Sequence, residues 1–262
     1  MRLVDAHCHL ESDAFADSLD DVLEDGRRAG IAAFVTSTAS PEEWAVSEAL
    51  AQRYPDVYFA IGIHPAFVAP EHLDLVEDLR HARERGAVAI GEIGLDRKID
   101  APSFDLQRQL FEAQLRIAAD LDLPVVIHCR AAFQELIETL KEIPAPRSGG
   151  IVHAFSGSVE VAQSLVKHGL SFSLGGGLTY RNSKKRAAVL RYAFPDRLLL
   201  ETDSPDIPPV EVRGTGQPNV PANITYNLRA AAETLDVPEQ EIAERTTANA
   251  ARLFGLQLGA AP

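Results

Sequence analysis

Short apolar runs rich in β-branched residues recur along the chain, each followed by a longer stretch of apolar positions at helical spacing. Runs at Leu3–His9, Ala32–Thr38, Val57–His64, Ala87–Leu95, Val125–Cys129, Ile151–Phe155, Leu170–Leu174 and Leu198–Thr202 predict eight strands. Between them, Phe104–Asp122 carries Leu106, Leu110, Ala113, Leu115, Ile117 and Leu121 at helical spacing. Ser40-Pro41-Glu42-Glu43 predicts a helix start, with Ser40 as cap, Pro41 at the first helical position and Glu43 reaching back. Gly30, Gly86 and Gly169 each stand just before a strand, where a helix end takes a left-handed residue. A last helix over Pro238–Phe254 has no strand after it, and Leu256–Pro262 is expected to fray. Strict alternation of eight strands and helices predicts the α/β class, as a (β/α)8 TIM barrel with an extra C-terminal helix. A doubly wound open sheet is the alternative.

The polar residues favour the barrel. His7 and His9 close the first strand, and residues two apart on a strand share a face. His64 ends the third strand, Glu92 sits in the fourth, His128 ends the fifth, His153 lies in the sixth and Asp203 ends the eighth. A barrel brings these strand ends to one mouth, the usual place of its active site. Any one of them could be a satisfied core or rim residue, but four imidazoles and two carboxylates in one apolar cavity call for a cation to offset their desolvation. Such a set suits zinc or manganese-type divalent ions, and two ions share it more comfortably than one. His72, His81 and His168 fall on helix faces and read as solvated surface.

Composition narrows the picture further. The 262 residues, 46% of them hydrophobic, match one barrel domain spanning 1–262, with no linker or low-complexity segment to divide it. No apolar run reaches the roughly 18 residues of a membrane span. The chain enters a strand at residue 3, leaving no room for a signal peptide. Cys8 and Cys129 are far apart and read as packing groups rather than ligands or a disulfide, so a cytoplasmic location is expected. A formal net charge of −13 argues against generic coating of nucleic acid while leaving room for a local basic site.

Six motifs, in order, resemble the TatD-type metal-dependent hydrolases: Asp5-Ala6-His7-Cys8-His9-Leu10, Gly62-Ile63-His64-Pro65, Gly91-Glu92-Ile93-Gly94-Leu95-Asp96, His128-Cys129-Arg130, His153-Ala154-Phe155-Ser156-Gly157 and Glu201-Thr202-Asp203-Ser204-Pro205. The later Gly216-Gln217-Pro218-Asn219-Val220-Pro221 is similar to the YjjV-like branch of that family. The resemblance implies that His7, His9 and Asp203 hold one metal, that His128 and His153 hold a second, and that Glu92 bridges them. It further implies phosphodiester hydrolysis of deoxyribonuclease type, trimming DNA from the 3′ end, with single-stranded DNA or another phosphodiester as the partner. The cofactors would be two divalent ions, of zinc, manganese, magnesium or nickel; no subunit partner is called for, and a monomer is compatible with the chain. Two departures from the family pattern fall in loops expected to touch substrate. Arg130 is followed by Ala131-Ala132 where an aspartate is frequent, and Arg97-Lys98-Ile99-Asp100 lacks the usual aromatic residues.

On this reading the nucleophile is a metal-bound hydroxide, and Asp203 both binds a metal and orients or deprotonates that water, with Glu92 as the second catalytic carboxylate. The competing role for Asp203 is a helix cap ahead of Ser204-Pro205. Arg130 is the expected phosphate clamp, since a planar guanidinium matches a phosphate through two parallel hydrogen bonds. His64 is read as a substrate contact or as a partner of the Pro65 turn. Asp5 is expected to point inward below His7 and His9. Gly175–Arg186 could hold phosphate, with Tyr180 stacking on a base and Arg181 beside it, or could be a plain glycine loop leading into a solvated basic helix. Two rival functions remain: a small-molecule amidohydrolase, lactonase or phosphoesterase on the same barrel, and a non-catalytic binding barrel. Glu92, rather than a lysine, in the fourth strand weighs against the amidohydrolase, and the full ligand set weighs against the binding module.

Overall fold

The computed structural model describes residues 1–180 and 183–259. Apolar residues of the strands divide into two clusters, and this division defines the architecture. Val4, Ala6, Ala33, Val35, Ala60, Ala89, Val126, Ile151 and Leu199 pack together in the lumen. Their neighbours on the other face, among them Phe34, Phe59, Ile90, Val125, Ile127 and Phe172, pack against the helices. A sheet buried on both faces requires such near-continuous apolar strands.

The eight strands are β1 (Leu3–Cys8), β2 (Ile31–Ser37), β3 (Val57–Ile61), β4 (Ala89–Asp96), β5 (Val125–Arg130), β6 (Gly150–Val152), β7 (Leu170–Leu174) and β8 (Leu198–Leu200). They pair in parallel in sequence order. The fold is thus the predicted TIM barrel, nearly closed. Its last seam, between β8 and β1, is drawn together beyond the strand proper. Asp203 N–H donates to the His7 carbonyl at 2.9 Å, and His9 N–H donates to the Ser204 carbonyl at 2.7 Å.

Outside the barrel lie α1 (Leu19–Arg28), α2 (Trp44–Arg53), the short α3 (His72–Leu75) and α4 (Ala82–Arg85), α5 (Phe104–Leu121), α6 (Phe133–Glu142), α7 (Val159–Val166), α8 (Lys184–Ala193), α9 (Ile224–Leu235) and α10 (Glu239–Phe254). The helix signals act as their chemistry requires. Glu43 accepts from the Ala39 and Ser40 N–H groups ahead of α2, and Ser103 caps α5 by accepting from Leu106 N–H. Gly30, Gly86 and Gly169 all have positive φ, at 101°, 91° and 82°.

Four expectations change. The third, sixth and eighth strands end early, so His64, His153 and Asp203 stand in the loops just beyond them. In two of these loops the chain leaves the ladder through left-handed residues, Ala154 (φ 42°) and Asp203 itself (φ 57°). The segment after α10 is packed rather than frayed where it is described, over residues 256–259, with 260–262 outside the described residues: Leu256 is buried, and Tyr58 Oη bonds to both the N–H and the carbonyl of Gln257. Ala250, Phe254 and Leu256 join the lumen cluster together with the strand-start residues Tyr58 and Val88, so the extra helix closes the floor of the barrel. His72 is buried, its Nδ1 accepting from Ala69 N–H, while His81 is exposed and His168 half-buried.

Asp5 is the fourth correction. It lies across from Phe34, on the face opposite Val4 and Ala6, and its carboxylate accepts from Thr202 N–H at 2.9 Å and Thr202 Oγ1–H at 2.5 Å. It ties the β1–β8 seam instead of plugging the lumen.

Candidate metal centre at the barrel mouth

Two bulges place the innermost polar side chains. Between Asp5 and Cys8, β1 spends three steps where β2 spends two, from Phe34 to Thr36. The extra residue lets Ala6 and His7 both face inward while Cys8 returns to the helix layer, its thiol on the Val35 carbonyl. The same device recurs in β4, where Ile90 to Ile93 is matched by only Val125 to Ile127. Ile90 and Ile93 both remain in the outer layer, and Glu92 is turned into the mouth. The flanking glycines make room. A Cβ on Gly91 would lie 2.5 Å from Val126 Cβ, and one on Gly94 would lie 1.9 Å from the His128 carbonyl.

Glu92 is the hub. Its Oε2 lies 3.3 Å from His7 Nε2 and 3.6 Å from His9 Nε2. Its Oε1 lies 2.7 Å from His153 Nε2, 3.1 Å from His128 Nδ1 and 3.3 Å from His64 Nε2. Asp203 Oδ1 completes the first side, 3.2 Å from His7 Nε2 and 3.5 Å from His9 Nε2, and is 4.0 Å from His153 Nδ1. The six residues expected as ligands are therefore brought together, each carboxylate oxygen of Glu92 facing its own set of imidazoles. His64, expected at the substrate, also joins the cluster, forming a triad of donor atoms with Glu92 and His128.

Neighbours orient the rings. His9 Nδ1 donates to the Ser37 carbonyl at 2.7 Å, with Glu11 alongside, which leaves Nε2 free to face Glu92 and Asp203. Asp96 Oδ2 holds His128 Nε2 at 3.1 Å and so directs Nδ1 inward. Glu201, not singled out from the sequence, is buried beside Asp203 and accepts from Ala154 N–H and from the Ser173 hydroxyl. Only the adjacency of Glu201 to Thr202-Asp203 could have flagged it.

The cluster fits divalent cations on two observations. Both ring nitrogens of His7 and Nδ1 of His153 are buried without a hydrogen-bond partner. His7 Nε2 lies between two carboxylates and is aligned for a hydrogen bond with neither, as a lone pair aimed at a common point would be. Hard carboxylate and borderline imidazole donors suit zinc-type divalent metals. Protonation within the cluster follows the same crowding. Burial drives the Glu92 carboxyl upward, but the imidazoles of His153 and His64 and hydrogen bonds from His128 and His153 hold it well below the usual range. Burial likewise opposes charge on His7, yet Asp203 and Glu92 raise it to about 10. His64, mainly desolvated, falls to about 4.

The cluster forms the floor of a cavity of about 1050 Å³. Arg130 stands exposed on its wall, at the end of β5, and no hydrogen bond or ion pair engages its guanidinium among the described residues. Tyr180 does not reach this cavity. Its hydroxyl donates to the Pro208 carbonyl at 3.0 Å, and its ring lines a second cavity, of about 900 Å³, together with Lys184 and Tyr226. The glycine loop after β7 is packed, not open: a Cβ on Gly176 would lie 2.1 Å from the Ile207 carbonyl, and Arg186 donates to the carbonyls of Gly177 and Tyr180. Arg97 is spent on Glu135 and stacks over Phe104. Arg181 lies outside the described residues. Cys8 and Cys129 are buried in the helix-facing layer, where burial pushes both thiols up, Cys129 to about 12.

A parallel barrel with clustered imidazoles and carboxylates at the C-terminal ends of its strands defines the class, a metal-dependent hydrolase of the TIM-barrel type. Residues 4–255 match the TatD related DNase family. The chain is 36% identical over 260 residues to YjjV of Escherichia coli (strain K12), covering 97% of this chain and 98% of that protein. It is 35% identical over 257 residues to YabD of Bacillus subtilis (strain 168), covering 96% and 98%. Both relatives are described only as uncharacterized metal-dependent hydrolases. The crystal structure of Escherichia coli YjjV superposes with a TM-score of 0.90 at 33% identity, covering 98% of this chain and 99% of that one. The protein belongs to the TatD DNase family and is a metal-dependent hydrolase.

Proposed function

We propose that the protein is a phosphodiesterase of deoxyribonuclease type, acting on single-stranded DNA with two divalent ions. The observation that carries this reading is the division of Glu92, one oxygen toward His7 and His9 and the other toward His128, His153 and His64. A single carboxylate facing two donor sets suits a pair of ions better than one. On this reading His7, His9 and Asp203 hold the first ion, His128 and His153 the second, and Glu92 both. Bound there, such ions supply Lewis acidity to a phosphoryl oxygen and acidify water.

The chain's own groups do the remaining work. Asp203 is buried, and although burial opposes its charge, the adjacent imidazoles of His7, His9 and His153 keep it ionised and able to accept a proton from an attacking water. Its left-handed backbone turns the carboxylate back toward β1, where both imidazoles fix it. Arg130 is free to bind the scissile or adjacent phosphate through two parallel hydrogen bonds.

The test is protein stripped with a chelator, reloaded separately with magnesium, manganese or zinc, and incubated with end-labelled single-stranded DNA. A metal-dependent ladder shortening from one end, lost in Asp203→Asn, is the expected result. Absence of cleavage with every metal, despite about two bound ions per chain, would overturn it in favour of a small ester or amide substrate.

A further inference from the structure

Phe67 is the one exposed aromatic side chain among the described residues, 53% accessible, while the others are buried or half-buried. It is not on a featureless surface. It lines the metal-site cavity, as do Val46 and Ile207, so three of the six exposed large hydrophobic residues converge on one mouth. A tight turn aims the ring: Phe67 N–H donates to the His64 carbonyl at 2.9 Å, and Ala66 N–H donates to His64 Nδ1 at 3.1 Å. The Phe67 ring meets the His64 ring edge-on, with centroids 6.1 Å apart, and His64 in turn touches Glu92. A flat apolar face is thus held directly beside an imidazole of the cluster.

The charges around the mouth exclude the usual way of holding a nucleic-acid strand. Among the described residues Arg130 is the only lysine or arginine lining the cavity, against Glu11, Asp13, Glu42, Glu43 and Asp206 outside the cluster. An acidic rim cannot track a run of phosphates, and a net charge of −13 adds no long-range attraction. Away from the ions at the scissile phosphate, binding must come from the Arg130 contact together with an uncharged contact to what is attached to that phosphate. Base–aromatic stacking supplies that, and only to a base already unpaired.

Resting on the phosphodiesterase reading, we propose that Phe67 is the platform for an unpaired base next to the scissile phosphate, which makes the substrate an unpaired strand end or short oligonucleotide held by one base and one phosphate. Duplex DNA and small phosphate esters lack one of these two handles.

The experiment compares a single-stranded oligonucleotide with one bearing abasic nucleotides at both ends, using the metal-loaded protein. The wild type is expected to prefer the intact strand by about 5- to 150-fold in kcat/KM, the range a single base stack supports. Phe67→Ala should bring this preference close to unity, chiefly through KM, while Phe67→Trp retains it. A readout independent of turnover uses a strand with terminal 2-aminopurine beside a hydrolysis-resistant phosphorothioate linkage. Its emission should be quenched by the wild type and not by Phe67→Ala. Because, besides the bound ions, Arg130 is the one side-chain cation at the mouth among the described residues, raising salt from 50 to 200 mM should cost only about threefold in affinity. Equal cleavage of intact and abasic strands by the wild type, a preference that survives in Phe67→Ala, or a salt loss of several decades would overturn the platform while leaving the phosphodiesterase intact. Failure to cleave any strand with any metal overturns both.

Discussion

At the scale of single residues, Arg130 and Asp5 are both charged residues near strand ends, but their surroundings give them opposite uses. Arg130 is exposed and unengaged at the mouth, so its guanidinium is available to substrate. Arg130→Ala should lower kcat/KM on a phosphodiester by about 10- to 100-fold, the worth of a charge-assisted pair, and leave bound metal unchanged by elemental analysis. Asp5 is wholly buried, and desolvation raises its carboxyl to about 7 although Thr202 and His7 favour the ionised form. A folded value above the unfolded 3.8 means that the native state holds the proton more tightly. The stability this confers is complete below pH of about 4 and is lost as pH rises through about 7. Urea midpoints across that window should fall less in Asp5→Asn than in the wild type; parallel curves would show that Asp5 does not titrate there.

At the scale of elements, the two bulges decide which side chains enter the mouth. A regular β1 would put Ala6 and His7 on opposite faces, and a regular β4 would do the same to Gly91 and Glu92. One added residue in each strand lets the apolar pattern continue in the outer layer while a polar group enters the mouth. Gly94 is the weak point of this arrangement, with φ at 149° and the His128 carbonyl where a Cβ would stand. Gly94→Ala should destabilise the protein by about 3 kcal/mol or more, visible as a drop in unfolding temperature, and should disturb His128. Glu92→Gln tests the side chain that the β4 bulge turns into the mouth. It keeps the shape of the side chain but lowers its charge, and metal affinity measured by calorimetry should fall by at least about 100-fold. Unchanged stoichiometry and affinity would remove Glu92 from the ligand set.

At the scale of the whole molecule, the barrel is closed by different means at its two ends. The floor is apolar, sealed by α10 and Leu256. The mouth is polar, and the β8–β1 seam there depends on Asp5, Thr202 and the backbone around Asp203. The candidate metal ligands His7, His9 and Asp203 therefore span the same seam that lacks a regular ladder. Binding of cations should couple to global stability: removing metal with a chelator should lower the unfolding temperature by at least about 5 °C, and reloading should restore it. An unfolding temperature indifferent to chelator and metal would argue against ligation across the seam. Among the described residues no helix is long and apolar enough to cross a membrane.

The eight strands, the long α5 and the last helix were legible in the chain because apolar periodicity and helix-end chemistry are local signals. So was the convergence of His7, His9, Glu92, His128, His153 and Asp203, since strand ends in a parallel barrel meet at one mouth whatever the detailed geometry. Register is different. The bulges at His7 and Glu92, the outward turn of Asp5 and the early ends of β6 and β8 depend on which residue lies opposite on a neighbouring strand, which no local pattern records. Packing between distant segments likewise settled Tyr180, drawn into a second cavity by Pro208, and the glycine loop, filled by Ile207. It also left Phe67 uncovered beside His64, and so shaped the mouth that meets the substrate. The chemistry of this protein was written locally in its residue types, whereas the direction in which each side chain points was a property of strands meeting strands.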